Sequence, residues 1–252
     1  MYRRVLEMRR EGLSYNQIIT EAERLSGVKL SKSHISNWVR GAHHPYGSVR
    51  ALDTTPRPEL GYVVGAKMGD ASMSVSHYSY MIKLRVTDKE FAEEFARCLS
   101  VVLGRAAPRV KWHEKRHTWH TQVSSLLLRQ FLLQPLSRLM PTIQHCDTCK
   151  GAFLGGFFDS EGSISGRELT ASNGDLEKLR LACDLLSSLG VQTTGPHLLS
   201  EGGKLVLLKG RLYHQNKDQY SIRVRSGSLG LFRSKVGFHI RRKSDALNLA
   251  LG

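Results

Sequence analysis

The sequence predicts an α+β fold in which two similar αββαββα units follow a small all-α domain. Apolar helical stretches that end in an acid occur twice, at Asp70 and Glu161, 91 residues apart. Glycines that close a later helix recur at Gly104 and Gly190, 86 residues apart. Between these landmarks apolar and polar residues alternate, as in strands with one buried face. The recurrence predicts two pseudo-symmetric copies. The first forty residues carry only helical patterns and are predicted to form a separate domain.

The composition points to a polyanionic partner. The chain has 252 residues, with 37 Lys and Arg against 22 Asp and Glu, so its net charge is +15. Residues 1–58, 59–150 and 151–252 each carry +5. Because the excess is spread along the chain and exceeds what solubility needs, nucleic acid is the expected partner.

Other classes of protein are disfavoured. Hydrophobic residues make up 40% of the chain, enough for a folded core, and four cysteines are too few for a disulfide-built scaffold. No run of about 18 apolar residues predicts a membrane span, and the first residues lack the apolar segment of a signal peptide. We therefore expect an intracellular, cytoplasmic protein, associated with the nucleoid and not with a membrane.

Residues 1–41 are predicted to form three short helices. Ser14 is the expected N-cap of the second helix, and Ser31 or Ser33 that of the third. The pattern resembles a helix-turn-helix of the resolvase and transposase type, with the third helix as the recognition helix. Its candidate DNA-contacting residues are Ser33, His34, Ser36, Asn37 and Arg40. The alternative is an ordinary three-helix accessory domain. Residues 42–58 contain three prolines and are predicted to be a linker.

Residues 59–150 are predicted to form the first copy. Its elements are expected to be a helix over Glu59–Gly69, a loop, a strand over Tyr78–Val86, a helix from the capping box Thr87–Glu90 to Leu103, a hairpin of Val110–His113 with Thr118–Val123, and a helix over Ser125–Met140. In the first strand Lys83 and Arg85 alternate with apolar residues. They are therefore predicted to lie on a DNA-facing side of the sheet.

Residues 151–252 are predicted to form the second copy. Its elements are expected to be a helix over Ala152–Ser160, a strand over Leu169–Ala171, a helix capped by Ser172 or Asn173 and ending at Leu189, strands over Lys204–Tyr213 and Gln219–Arg225, and helices over Ser226–Val236 and Arg242–Leu251. Arg223 and Arg225 are predicted to face DNA by the same alternation. One sheet per copy would give a saddle large enough for duplex DNA.

Small residues suggest that the two acid-ending helices pack closely. Gly65 matches Gly156, and Gly69 matches Ser160, when the stretches are aligned on their acids. Residues four apart share a helix face, and small side chains there let two backbones approach. Close packing of these helices would bring Asp70 and Glu161 together at adjacent C-terminal ends.

Such an arrangement is unfavourable unless a cation is present. A helix C-terminus carries partial negative charge, so a carboxylate there costs roughly 0.3–1 kcal/mol. Two carboxylates, with the backbone carbonyls of Gly69 and Ser160, form a hard oxygen ligand set that suits Mg²⁺. The pattern predicts a divalent metal site at the paired helix ends.

Both stretches resemble the motif of the LAGLIDADG homing endonucleases. The second, Leu154–Gly162 (LGGFFDSEG), matches well, with Asp159 and Glu161 at the acidic positions. The first, Val63–Ala71 (VVGAKMGDA), departs from the motif at Met68 and Ala71 but keeps the metal-binding acid, Asp70. The resemblance covers residues 59–252 and is to the monomeric two-motif members, similar to archaeal intron-encoded enzymes.

The resemblance implies a site-specific endonuclease that cuts both strands of a long DNA target with Mg²⁺, whose site Mn²⁺ or Ca²⁺ can also occupy. Asp70 and Glu161 would hold the cations. The resemblance also implies basic side chains near each scissile phosphate, and Lys89 and Lys243 are the candidates. Two alternatives remain, an RNA maturase that binds intron RNA and a non-catalytic DNA-binding regulator.

Cys146 and Cys149 have the spacing of half a zinc site. His145 could join them, but no second Cys pair with this spacing follows. An ordinary turn before the second motif helix is therefore the favoured interpretation.

Overall fold

The structure is a computed structural model that describes residues 1–42, 52–76, 79–208 and 211–252. The chain divides into two compact units, Met1–Ala51 and Leu52–Gly252. The division falls inside the predicted linker, most of which (residues 43–51) lies outside the described residues, as does Tyr78. Within the described ranges, no helix combines the length and apolar character that a membrane crossing requires.

The first unit contains the three predicted helices, α1 (Tyr2–Arg10), α2 (Tyr15–Ser26) and α3 (Lys32–Val39). Ser14 caps α2 through a reciprocal capping box with Gln17. Of the two candidates for α3, Ser31 is the N-cap, and its hydroxyl accepts a hydrogen bond from the amide of His34. The helices share a core formed by Val5, Met8, Ile18, Ile35 and Trp38.

The second unit contains two runs of elements in the same order, except that the second run has two additional strands, β8 and β9. The first run is α4 (Pro58–Met68), β1 (Ser72–Ser76), β2 (Ser79–Val86), α5 (Lys89–Leu103), β3 (Lys111–His113), β4 (Thr118–Ser124), α6 (Leu126–Leu132) and α7 (Leu136–Ile143). The second run is α8 (Asp147–Glu161), β5 (Gly162–Ser165), β6 (Glu168–Asn173), α9 (Leu176–Ser188), β7 (Thr193–Ser200), β8 (Leu205–Leu208), β9 (Arg211–His214), β10 (Gln219–Val224), α10 (Leu229–Lys235) and α11 (Arg241–Leu251).

Each run forms one four-stranded antiparallel sheet. The strand orders are β1-β2-β4-β3 and β5-β6-β10-β7, so corresponding strands occupy corresponding places. The inner faces of both sheets and the motif helices α4 and α8 contribute to one continuous apolar core, which includes Ile82, Phe91, Phe157 and Ile222. The predicted α+β architecture of two αββαββα copies is confirmed.

Several short elements differ from the prediction. The segment of β1 was predicted to be a loop, and β5 and β7 were not predicted. The strand expected over Lys204–Tyr213 is instead a hairpin of β8 and β9, which form a separate two-stranded sheet; residues 209–210 between them are outside the described ranges. The leucine-rich helix is divided into α6 and α7, because Pro135, which has no amide hydrogen, is the N-cap of α7.

Two predicted helix starts are wrong. The N-cap residue of α5 is Asp88 and not Thr87, with which the predicted capping box begins, and the Asp88 side chain does not cap the helix. Its carboxylate accepts hydrogen bonds of 2.7 and 2.8 Å from the guanidinium of Arg242, which offers a charged partner in place of a backbone amide. In the second copy the N-cap is Asp175, not Ser172 or Asn173, which belong to β6.

Candidate active site at the paired helix ends

Helices α4 and α8 pack in backbone contact through the small residues that the sequence pattern identifies. A Cβ atom on Gly65 would overlap the carbonyl oxygen of Phe153, and one on Gly156 would overlap the carbonyl oxygen of Tyr62. Gly61, one turn before Gly65, would place a Cβ 2.8 Å from the carbonyl oxygen of Cys149. Larger side chains at these positions would separate the helices, so the glycines bring the two C-terminal ends together.

The helix ends meet at Gly69 and Ser160, as their matched positions predict. A Cβ on Gly69 would overlap the side chain of Ser160 and would lie 3.0 Å from Oε1 of Glu161. The Glu161 carboxylate therefore lies against the residue that precedes Asp70. Of the predicted metal ligands, the structure thus brings Asp70, Glu161, Gly69 and Ser160 to one place.

The close approach of the Asp70 and Glu161 carboxylates is electrostatically unfavourable in the absence of a cation. Burial raises the pKa of Glu161 to about 7, and the negative charge of Asp70 adds to this effect, while Lys178 and Lys243 oppose it. Asp70 retains access to solvent, yet desolvation raises its pKa too, against the charge of Lys243. A site that resists holding two negative charges by itself is one that a divalent cation stabilises. The residues present therefore fit the implied metal.

Two lysines cap the ends of the motif helices. Lys178, on α9, donates to the carbonyl oxygen of Met68 at the end of α4 over 2.7 Å. Lys243, on α11, donates to the carbonyl oxygens of Asp159 (2.7 Å) and Phe158 (3.1 Å) near the end of α8. Met68 and Asp159 occupy matching positions of the two motifs, so each helix end has one lysine on the equivalent carbonyl. Both ammonium groups offset the partial negative charge of the helix ends.

Lys243 is 5% exposed, and burial lowers its pKa to about 8, although the charge of Asp159 opposes that shift. Its predicted place near the acids is consistent with this geometry. Nζ of Lys89 forms an ion pair of 2.7 Å with Glu93 and lies over the ring of Trp119, and its role near a scissile phosphate stays a prediction. Lys178 was not among the candidates, since a contact across 110 residues leaves no local pattern in the sequence.

Asp159, the first acid of the second motif, has a structural role. It is 2% exposed and accepts hydrogen bonds from the hydroxyl of Tyr62 (2.7 Å) and the amide of His239 (3.1 Å). Burial, followed by the charge of Asp159, raises the pKa of Tyr62 well above its usual value, so the phenol keeps its proton and donates. The network ties α4, α8 and the segment before α11 together beside the paired carboxylates.

The predicted DNA-facing residues of the first sheet lie on its polar face. Lys83 is paired across the strands with Gln122, and Arg85 with His120, which in turn is opposite Lys111. Cross-strand partners share a face, so these side chains form a basic and polar surface. The alternate residues of β2, Ile82, Leu84 and Val86, are buried. The assignment of faces is confirmed, and the DNA contact stays a prediction.

The second sheet has the same arrangement with fewer charges. Arg223 lies on the face opposite to the buried Ile222 and Val224, and it forms an ion pair of 3.2 Å with Glu168. Arg225 is exposed but follows the end of β10, so it extends the predicted DNA-facing row beyond the strand.

Four of the five candidate residues of the recognition helix lie on α3. Ser33, His34 and Arg40 are exposed, and Ser36 and Asn37 are half-buried. Arg40, the C-cap residue, donates to the side chain of Asn37 over 3.1 Å. Nothing in this geometry tests DNA binding, which stays a prediction.

The pair Cys146 and Cys149 does not lie in a turn, contrary to expectation. Cys146 is the N-cap of α8, which begins before the motif, and Cys149 is buried in its first turn. Hydrogen bonds with Thr148 and then His145 lower the pKa of Cys146 to about 6. Burial raises the pKa of Cys149 to about 11.

Comparison with known proteins gives matches in sequence and in fold. A family profile described as "LAGLIDADG-like domain" matches residues 148–237, which include α8 and the second sheet. The chain is 32% identical over 251 residues to the protein named "Uncharacterized protein MJ0398" of Methanocaldococcus jannaschii, covering 98% of this chain and 91% of that one. A second protein of that organism, "Uncharacterized protein MJ0314", is 25% identical over 156 residues, which are 58% of this chain and 59% of its own.

Solved structures of the protein I-DmoI share the fold. The structure of I-DmoI in complex with DNA and Mn matches with a TM-score of 0.51 at 15% identity, covering 71% of this chain and 96% of that one. The structure with DNA and Ca matches with a TM-score of 0.52 at 15% identity, covering 76% and 97%. At this identity the likeness establishes the arrangement of helices and sheets and no more.

Proposed function

Since residues 148–237 belong to the LAGLIDADG-like domain family, we propose that the chain is a site-specific homing endonuclease that hydrolyses both strands of a long DNA target with Mg²⁺. The observation that carries this proposal is the pair of carboxylates, Asp70 and Glu161, held together by glycine-mediated helix packing. Burial raises the pKa of both carboxyl groups, and shifts of this kind are concentrated at catalytic sites.

Asp70 and Glu161 hold the cations in this proposal, together with the backbone carbonyls of Gly69 and Ser160. Mg²⁺, when bound, lowers the pKa of a coordinated water and stabilises the leaving oxygen. The last carbonyls of an α-helix have no intrahelical partner, so those of Gly69 and Ser160 are available as ligands. Two copies of the motif supply one carboxylate for each strand of the duplex, and one chain is therefore sufficient as a monomer.

Lys178 and Lys243 are the basic residues that we assign to this site. Each holds one ammonium group beside a carboxylate, where it orients the helix end and offsets the charge of an approaching phosphate. Lys89, which pairs with Glu93, remains a further basic candidate for contact with a scissile phosphate.

Duplex DNA is the proposed partner, recognised by the polar faces of the two sheets. Lys83, Arg85 and Arg223 lie on the open faces and Arg225 lies next to one. The resolved relatives in complex with DNA and with Mn or Ca support both the partner and the choice of divalent cation. A DNA target also implies an intracellular, nucleoid-associated protein.

The test is cleavage of genomic DNA from the source organism, with the ends mapped by sequencing, in the presence and absence of Mg²⁺. We expect one preferred site and cleavage of both strands there. The variants Asp70→Asn and Glu161→Gln remove charge with little change in volume, so they should fold and bind the site while cleavage falls by at least about 10²-fold. Asp245→Asn, an exposed acid on α11, is the matched control and should cut normally.

Full activity in both acid variants would remove the nuclease assignment from these residues. Stimulation of intron splicing without DNA cleavage would favour an RNA maturase, and specific DNA binding without cleavage would favour a regulator.

A further inference from the structure

Three soft ligands converge at the opposite end of α8 from the paired carboxylates. Nδ1 or Nε2 of His145, Sγ of Cys146 and Sγ of Cys149 all lie within 4.8 Å of one another. Among the described residues, this is the group of His, Cys, Asp and Glu side chains whose ligand atoms cluster in this way. The cluster arises because α8 begins at Asp147, which places Cys149 in the first turn and folds it back towards Cys146.

The ligand types select the kind of metal. Two thiolates and an imidazole are the donors that Zn²⁺ binds, whereas Mg²⁺ and Ca²⁺ prefer oxygen. In a tetrahedral zinc site neighbouring ligand atoms are roughly 3.5–4 Å apart. The present separations require only small side-chain rotations to reach that geometry.

The neighbouring side chains determine which further ligand the cluster can have. Asp147 is directed towards the ammonium groups of Lys150 and Lys235, at 3.4 and 3.5 Å, so it is not available as a fourth ligand. Thr148 contacts Sγ of Cys146 at 3.0 Å and can orient that ligand. Cys149 is buried, but His145 is exposed, and the fourth coordination position therefore opens to water.

We propose that His145, Cys146 and Cys149 bind one Zn²⁺, with water as the fourth ligand. The two coordinating thiols release their protons to solvent on binding, and no oxidation or reduction takes place. The two thiolates balance the charge of the ion, so the complex is neutral at the start of the helix.

The position of the site suggests what the ion does. His145 and Cys146 belong to the short connection between α7 and α8, which joins the two copies, and Cys149 belongs to α8 itself. Zinc would fix this connection to the helix whose other end carries Glu161. A metal ligated only in the folded state stabilises that state, so the proposed role is structural and separate from DNA cleavage.

The test measures zinc and cobalt binding by the full-length chain, prepared metal-free under a reducing agent. With excess Mg²⁺ present to occupy the carboxylate site, we expect one equivalent of Zn²⁺ to bind, and Co²⁺ to give the absorption of a tetrahedral site with thiolate charge transfer. In Cys146→Ser the charge-transfer absorption should fall by about half and the affinity for zinc by at least about 100-fold. His145→Ala, at an exposed position, should keep the charge-transfer absorption and lose affinity.

Two control variants distinguish this zinc site from other thiols and from the carboxylate site. Cys183→Ser removes a thiol on α9 and should bind zinc as the unaltered chain does. Glu161→Gln should also bind normally, since it alters only the oxygen site. Because Cys149→Ser changes a buried residue and can unfold the chain, Cys146→Ser and His145→Ala decide the question, with circular dichroism to verify folding. Failure to bind Zn²⁺ or Co²⁺, unchanged binding in Cys146→Ser, or a Cys146–Cys149 disulfide that persists under the reducing agent would overturn the proposal.

Discussion

Glu161 makes the stability of the metal-free protein depend on pH. Its pKa is raised to about 7, from 4.5, by burial and by the charge of Asp70. The folded state thus holds this proton more tightly than the unfolded chain does. The resulting stabilisation is complete below pH 4.5 and is lost as the pH rises through about 7. In the proposed function, a divalent cation takes the place of the proton above that pH.

We therefore expect Glu161→Gln to be more stable than the unaltered chain at pH 8 without metal, and to lose this advantage towards pH 5. Partial exposure reduces the effect to about 1–2 kcal/mol. Urea unfolding at the two pH values, with and without Mg²⁺, measures it. Added Mg²⁺ should stabilise the unaltered chain at pH 8 and leave the variant unchanged. An advantage of Glu161→Gln that does not vary with pH would contradict the raised pKa.

The positive charge of Lys178 is expected to contribute to DNA cleavage. It is half-buried and holds the end of α4 through one hydrogen bond, so Lys178→Met should fold. Removing its charge beside Glu161 should lower the cleavage rate about 10²-fold, with DNA affinity changed much less. Single-turnover cleavage of each labelled strand is the measurement. Arg180→Met, an exposed cation on the same helix, is the control, and equal losses in both variants would indicate a general charge effect.

The motif helices are the element on which the site depends. Gly65→Ala would place a methyl group against the backbone of Phe153, which cannot move away without shifting α8. We expect a loss of about 3 kcal/mol or more in the free energy of unfolding, at the upper end of the usual cost of overpacking. Gly227→Ala is the matched control, because a Cβ there would have no atom within 4 Å. Chemical denaturation compares them, and equal stability of the two variants would mean that the helices can separate freely.

The elements that the sequence predicts are those in which local pattern and tertiary packing agree. Gly65 and Gly156 could be paired because their spacing repeats, and β2 and β10 could be oriented because their apolar residues alternate. By contrast, β1 reads SMSVS and β5 reads GSIS, which have few apolar residues and gain their order from pairing with β2 and β6. Strand pairing of this kind is a tertiary effect, and the intrinsic β-propensity of the residues does not predict it.

The candidate site was predictable only in part for the same reason. Its carboxylates lie within two short motifs, whereas its lysines come from elsewhere in the chain. Arg242 binds the carboxylate of Asp88, beside the predicted capping box, and Lys178 reaches Met68 across 110 residues. Such contacts depend on the packed fold and have no signature in a single sequence.

At the scale of the whole molecule, charge is divided between two units that fold around separate cores. Residues 1–51 carry nine basic and four acidic side chains, a net charge of +5, and residues 52–252 carry the remaining +10. Leu52 packs against the core of the second unit, so a chain that begins at Leu52 keeps that core complete. We expect this shortened chain to fold and to bind Mg²⁺ as the full chain does.

The shortened chain should cut the same phosphates but require more protein. A tethered unit that also contacts DNA raises the effective concentration, so its removal should weaken binding by about 10²-fold or more. Each lost phosphate contact should also reduce the slope of log affinity against log salt by about 0.9. Footprinting and binding at several salt concentrations, with both chains on one target, measure these effects. If the two chains gave the same footprint, affinity and salt slope, residues 1–51 would not contact this DNA, because a cationic unit cannot join a phosphate surface without displacing counterions.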